Sequence, residues 1–100
     1  MFPSKQKAAQ TAIDLAKADS RIERLILFGS AVTMNCGVTS DIDIAIDVPD
    51  VSEEEFLKID RNYYLGVPSE LDLIQLNRIR NPILKNEIDR KGVVMYSKRV

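Results

Sequence analysis

The chain has 100 residues, 45% of them hydrophobic and 29% charged, which predicts one small globular domain over residues 1–100. Its net charge is −1, and it contains no histidine and one cysteine, Cys36. These counts exclude histidine-based metal sites, Ser-His-Asp triads and internal disulfides, and they argue against binding of duplex nucleic acid by a broad basic surface. Because no apolar run is long enough to span a bilayer and no signal-peptide pattern is present, the sequence predicts a soluble cytoplasmic protein with no membrane contact.

The first half of the chain predicts one helix and two strands. Residues 4–18 carry apolar positions at helical spacing, namely Ala8, Ala9, Ala12, Ile13 and Ala16. Residues 22–28 form an apolar run that Gly29 ends, which is typical of a strand buried on both faces. Residues 41–48 alternate acidic or small side chains with Ile and Val, the period of a second strand.

The second half predicts two helices, each followed by a strand. Ser52 and Glu55 form a capping box for a helix that runs to about Tyr64. Residues 70–76 predict a third strand, and Asn81 before Pro82 predicts a helix that Gly92 ends. Residues 93–96 predict the last strand. This order indicates an α/β (α+β) domain, with helices packed on a small twisted mixed β-sheet.

Three acidic residues lie within predicted apolar strands, where carboxylates are rarely found without a partner. Period-two geometry places Asp41 and Asp43 on one face, where they repel each other unless a cation lies between them. Asp72 lies between two leucines of the third strand. If that strand neighbours the second, the three carboxylates form a cluster suited to two magnesium ions and a triphosphate.

The Gly29-Ser30 pair follows the first strand directly. A strand that leads into glycine and then a short helix exposes backbone N–H groups that can bind a phosphate, and the serine hydroxyl adds a donor. The pair and the acids together predict a site that binds a nucleoside triphosphate and transfers part of it.

Structural explanations compete with this interpretation. Gly-Ser is a common turn, Asp-x-Asp occurs in solvated loops and in some glycosyltransferases, and a purely structural α/β domain would leave the buried-strand acids unexplained. Asp47 is predicted to be a solvated strand end, and residues 53–55 (Glu-Glu-Glu) to favour the helix dipole rather than to bind metal. The Tyr63-Tyr64 pair is predicted to be core or interface.

Taken together, Gly29-Ser30, a gap of ten residues, Asp41-x-Asp43 and the later Leu-Asp-Leu around Asp72 resemble the minimal nucleotidyltransferases of the DNA polymerase beta superfamily. The resemblance covers nearly the whole chain, including the helix-glycine-strand ending at residues 88–96. It implies the polymerase-beta-like nucleotidyltransferase fold.

The resemblance also implies roles for these residues. Asp41 and Asp43 would bind both metal ions, Asp72 would bind the catalytic metal, and Gly29 and Ser30 would hold the triphosphate. Many members of this group are antitoxins encoded beside a HEPN-domain toxin, and the best understood transfer AMP from ATP to a tyrosine of that partner. The expected activity is therefore Mg²⁺-dependent (or Mn²⁺-dependent) transfer of AMP from ATP to a hydroxyl of a HEPN partner.

One departure from the family pattern keeps a second hypothesis open. Many relatives carry arginines directly after Gly-Ser, whereas residues 31–34 here read Ala-Val-Thr-Met. Arg78 and Arg80, after the third strand, are candidates to replace them. The alternative is a catalytically weak or inactive antitoxin that acts by binding its partner. The sequence leaves the acceptor, the base preference and the oligomeric state open, and a homo-oligomer is compatible with it.

Overall fold

Within the residues that this computed structural model describes (3–29, 42–67 and 71–98), four strands form one sheet. The strands are β1 (Arg24–Phe28), β2 (Ile42–Asp47), β3 (Leu71–Gln75) and β4 (Val93–Ser97), in the spatial order β3-β2-β1-β4. β1 pairs antiparallel with β2 and β4, and β2 pairs parallel with β3. The mixed sheet predicted from the sequence is confirmed.

In the same described ranges, three α-helices accompany the sheet: α1 (Pro3–Lys17), α2 (Glu53–Gly66) and α3 (Pro82–Lys91). A short 3₁₀ helix, Leu76–Arg78, follows β3 where the sequence had predicted the end of a strand. None of the helices in the described part of the chain combines the length and apolarity needed to cross a bilayer.

The larger hydrophobic core lies between the sheet and α1 and α2. α1 packs closely because its stripe is made of small residues, with Ala8, Ala12 and Ala16 fully buried. The isoleucines of β2 at positions 42, 44 and 46 point to this side and are also fully buried. Tyr63 of α2 is 1% exposed, and its hydroxyl donates to the carbonyl oxygen of Ala12 at 3.1 Å, which ties the two helices together.

A smaller core lies on the opposite face of the sheet, under α3. Ile26, Phe28 and Ala45 of the central strands contact Ile88 of α3 there. Because β1 has a core on each side, its residues 25–28 are all buried, as predicted for this strand. The face of β2 that carries Asp43 is thus apolar in its middle and polar only towards its ends.

Local capping fixes the starts of α2 and α3. The Ser52 hydroxyl accepts from the Glu55 amide at 3.2 Å, and the Asn81 side chain accepts from the amides of Ile83 and Leu84 at 3.0 and 3.4 Å. Both caps were predicted, because each satisfies amides that lack partners in the first helical turn. α2 continues to Gly66, two residues beyond its predicted end.

Candidate functional site

The predicted site lies at the end of the sheet where β1 leads into Gly29. Phe28 pairs with Asp43 across the β1–β2 ladder, so the next residue, Gly29, lies beside the Asp43 side chain. Gly29 has a φ of 75°, a left-handed conformation that side chains disfavour. A Cβ atom at this position would collide with Oδ2 of Asp43 and lie 3.3 Å from its Cγ. Glycine is therefore required both by the backbone conformation and by the approach of the carboxylate.

Asp72 lies directly beside Asp43 on the neighbouring strand. The parallel register pairs Asp43 with Asp72, and paired residues of adjacent strands share a face at a spacing of about 4.8 Å. Asp43 is half-buried and Asp72 is exposed. The structure thus brings together two of the three predicted acids, with Gly29 against the first of them.

Two of the predicted site residues, Ser30 and Asp41, lie outside the described residues, as do Cys36 and the predicted short helix after Gly29. In the ranges that are described, no three acidic, cysteine or histidine side chains are grouped closely enough to hold a metal ion. The donors that are present, carboxylate oxygens of two adjacent aspartates, are the hard ligands that Mg²⁺ and Mn²⁺ prefer. The two carboxylates therefore fit part of a divalent metal site.

Asp60 of α2 was not singled out from the sequence, yet it lies near Asp72. Both side chains line a cavity of about 360 Å³ between α2 and β3. Partial burial, and secondly the charge of Asp72, raise the pKa of the Asp60 carboxyl above its ordinary value. The sequence offered one signal for Asp60, which is its position on α2. It directly follows Ile59 and lies three positions before Tyr63, at the margin of the apolar stripe that these two residues form.

Asp47 and the three glutamates at positions 53–55 have structural roles. Asp47, predicted to be a solvated strand end, is instead half-buried and paired with Arg24, whose Nε lies 3.0 Å from its Oδ2. This corrects the prediction: antiparallel pairing places Arg24 directly opposite Asp47, at the far end of β2 from Asp43. The three glutamates at positions 53–55 occupy the first turn of α2, as predicted. The tyrosine pair divides between the core (Tyr63) and the surface (Tyr64, 80% exposed).

Several solved structures with the same fold are toxin–antitoxin complexes. A toxin–antitoxin crystal structure with AMP-PNP matches with a TM-score of 0.73 and 20% identity, over 91% of this chain and 74% of that one. A tri-AMPylated Shewanella oneidensis HEPN toxin in complex with its MNT antitoxin matches with a TM-score of 0.68 and 20% identity, over 95% and 74% of the two chains. The MntA–HepT toxin–antitoxin structure gives 0.67 and 20%, over 94% and 74%. At these identities the likeness establishes the fold.

The sequence itself also matches a protein family. No curated protein matches it, but the family described as "Polymerase beta, Nucleotidyltransferase" matches residues 10–99. That range contains the Gly-Ser pair, the Asp-x-Asp strand and β3. The chain therefore belongs to the polymerase beta nucleotidyltransferase family, as the resemblance in its motifs had predicted.

Proposed function

We propose that this nucleotidyltransferase moves AMP from ATP to a hydroxyl group of a partner protein, and that residues 1–100 act as one domain in the cytoplasm. The observation that carries the proposal is the register of β2 and β3, which pairs Asp43 with Asp72 beside Gly29. The solved structures support the nature of the partner, since one contains a HEPN toxin that is tri-AMPylated and another contains AMP-PNP. A HEPN-domain toxin is accordingly the proposed acceptor of this chain as well.

Each residue has a proposed role. Gly29 and Ser30 hold the triphosphate through backbone N–H groups and a hydroxyl. Asp41, Asp43 and Asp72 would hold two Mg²⁺ ions, which when bound would neutralise charge on the triphosphate and on the leaving group; Mn²⁺ has the same ligand preference. Asp72 lies on the outer of the two acid-bearing strands, and this position supports its proposed role at the acceptor oxygen.

The proposed reaction is a displacement at the α-phosphorus. The acceptor oxygen forms a bond to that phosphorus, the bond to the oxygen that bridges the α- and β-phosphates breaks, and pyrophosphate leaves with the electron pair. The acceptor proton passes to the Asp72 carboxylate and from there to water. The products are an AMP–protein ester and pyrophosphate.

Transfer from labelled ATP tests this proposal. The chain is incubated with a HEPN-domain protein from the same genome and ATP labelled at the α-phosphate, with Mg²⁺ or with EDTA. We expect label on the partner only with metal, and loss of most of the turnover in Asp43→Asn and Asp72→Asn. Asp50→Asn, an exposed change in the turn after β2 at the far end of that strand from Asp43, serves as the matched control and should transfer normally. Label from ATP marked at the γ-phosphate, or equal labelling in EDTA, would contradict the mechanism.

A binding-only antitoxin is the second candidate, and the absence of arginines at positions 31–34 favours it. Cell growth under toxin expression separates the two functions. If Asp72→Asn neutralises the toxin as well as the unmodified chain does, binding alone suffices. If neutralisation disappears together with transfer while the complex still forms, the protein acts as an enzyme.

A further inference from the structure

The cavity beside Asp72 is open to a helix face that carries exposed apolar side chains. It is lined by Leu57, Asp60, Arg61 and Tyr64 of α2 and by residues 71–73 of β3. Leu57 is 60% exposed and Tyr64 is 80% exposed, and their spacing of seven residues places them on one side of the helix. Large apolar side chains that line an exposed concave surface are characteristic of interaction sites.

A second cavity continues from the first along the same strand. It has a volume of about 430 Å³, and Leu57 and Leu73 line both cavities. Its other lining residues include apolar Phe56 and Leu84, together with Gln75 at the end of β3. We name the two cavities together the β3 groove.

The β3 groove follows an edge of the sheet. Within the described strands, β3 pairs only with β2, so the backbone groups on its outer side have no strand partner. Gln75 is only 6% exposed, and its side-chain Nε2 has no hydrogen-bond partner among the described residues. A buried donor without an acceptor costs free energy, so an acceptor oxygen from a bound chain would stabilise this end of the groove. These features suit an extended peptide, which binds an edge strand through its backbone.

The charges in the first cavity indicate what the part of the peptide bound there carries, whereas the second cavity is lined by Glu53, Arg78 and Arg80. Asp60 and Asp72 place two carboxylates in the first cavity, and among its described lining residues Arg61 is the one cation. A basic side chain near Asp60 would relieve the repulsion between the two acids, whereas a polyanion such as RNA would increase it.

We propose that the β3 groove binds the acceptor of the transfer reaction as an extended polypeptide segment. The segment places its hydroxyl at Asp72, a lysine or arginine beside Asp60, and an apolar side chain in the second cavity. Asp72 and Gln75 are three residues apart in β3, about 10 Å at strand spacing, so the apolar residue lies about three positions from the hydroxyl. The role of Asp72 in this proposal rests on the proposed function, whereas the binding of the segment does not.

Fluorescence anisotropy with labelled peptides tests the proposal without any turnover. The probe is a fluorescein-labelled decapeptide of Gly and Ser with a central Tyr, an adjacent Lys, and Leu three positions away, made in both chain directions. Matched peptides carry Glu in place of Lys, or Ser in place of Leu. We expect the Lys–Leu peptide in one direction to bind about tenfold more tightly than either matched peptide.

Variants of α2 locate the site. Leu57→Glu should weaken binding of the Lys–Leu peptide about tenfold. Asp60→Asn should remove the preference for Lys over Glu. Leu65→Glu is the matched control, because Leu65 is 71% exposed on the same helix but lines neither cavity, and it should bind as the unmodified chain does. Circular dichroism and ATP titration verify that all three variants are folded and bind nucleotide.

Several results would overturn the proposal. One is the absence of peptide binding up to about 1 mM peptide. A second is an equal loss of peptide affinity in Leu57→Glu and Leu65→Glu. A third is that a labelled ten-nucleotide oligo(A) binds more tightly than the peptides and that Leu57→Glu abolishes its binding. Failure of the AMP-transfer assay together with groove-dependent peptide binding would instead refute the proposed function and leave the groove as a peptide site.

Discussion

Replacement of Gly29 by alanine tests the geometry of the candidate site through stability alone. Two separate penalties are expected. A residue with a side chain at a φ of 75° costs about 1–2 kcal/mol relative to glycine. The added Cβ also collides with the Asp43 carboxylate, and forcing that side chain off its rotamer costs about 0.5–1.5 kcal/mol. We expect Gly29→Ala to lower the free energy of unfolding by about 1.5–3.5 kcal/mol.

A double-mutant cycle with Asp43→Ala separates the two penalties. In the Asp43→Ala background the carboxylate is absent, so Gly29→Ala should cost only the backbone term of about 1–2 kcal/mol. The coupling between the two positions is the difference, about 0.5–1.5 kcal/mol. The cycle also cancels whatever Asp43→Ala itself does to stability, including the loss of the interactions that this side chain makes.

Urea denaturation followed by circular dichroism measures all four proteins, and comparison of midpoints at a common slope limits the error of extrapolation. Gly66→Ala is the control, since Gly66 ends α2 without a positive φ and its added Cβ would approach only the flexible end of Leu15, at 3.3 Å. That change should be neutral or slightly stabilising, because alanine is the better helix former. An equal cost of Gly29→Ala in both backgrounds would show that the Asp43 carboxylate does not lie against Gly29.

Three further changes test the fold and the groove. Tyr63→Phe should lower stability by about 1 kcal/mol through loss of the buried hydrogen bond, with Tyr64→Phe as the exposed control. Burial raises the pKa of the Tyr63 hydroxyl, so stability of the unmodified chain should fall above about pH 10, where the unfolded tyrosine ionises first, and Tyr63→Phe should reduce this fall. Asn81→Ala should cost about 1 kcal/mol in thermal or urea unfolding, while Asn81→Asp keeps the cap and most of the stability. The raised pKa of Asp60 means that its ionisation opposes folding, so Asp60→Asn should stabilise the chain at pH 7, and the gain should disappear below about pH 4, where the carboxyl is protonated in both states.

Features fixed by neighbouring residues were predictable from the sequence. The caps at Ser52 and Asn81 depend on hydrogen bonds within three positions, and both form as expected. The alanine stripe of α1 and the apolar run of β1 follow from periodicity. The apolar run predicts a strand from residue 22, whereas β1 begins at Arg24. A turn precedes the strand, and in it the Ile22 amide donates to the carbonyl oxygen of Asp19. Ile22 ends this turn and is fully buried like a strand residue, so its apolar side chain is easily assigned to the strand.

Features that depend on strand pairing were not predictable in the same way. The alternation of side chains along a strand predicts which residues share a face of β3 with Asp72. It does not predict which strand pairs with β3, in which direction, or in which register. A shift of one residue would move Asp72 to the opposite face from Asp43. The proximity of Asp60 depends in addition on how α2 crosses β3, which no local pattern specifies.

The topology also changes which cations are suited to contact a phosphate at the candidate site. Arg78 lies in the 3₁₀ helix after β3, and Arg80 follows it. β3 runs parallel to β2, so both arginines come after the end of β3 that is remote from Asp72. The sequence had made them candidates to replace the missing arginines, yet the strand direction places them nearer the second cavity of the β3 groove, which they both line.

The last turn of α3 is placed differently. It contains Arg90 and Lys91, and the β-strand that follows starts with Val93 opposite Leu27, near the end of β1 that leads into Gly29. These two cations therefore lie towards the same end of the sheet as the candidate phosphate site, on the helix that covers the face carrying Asp43. Loss of the arginines after Gly-Ser consequently does not remove positive charge from this end of the molecule. Positive charge at this end of the sheet favours a bound phosphate, which is compatible with the proposed transfer reaction.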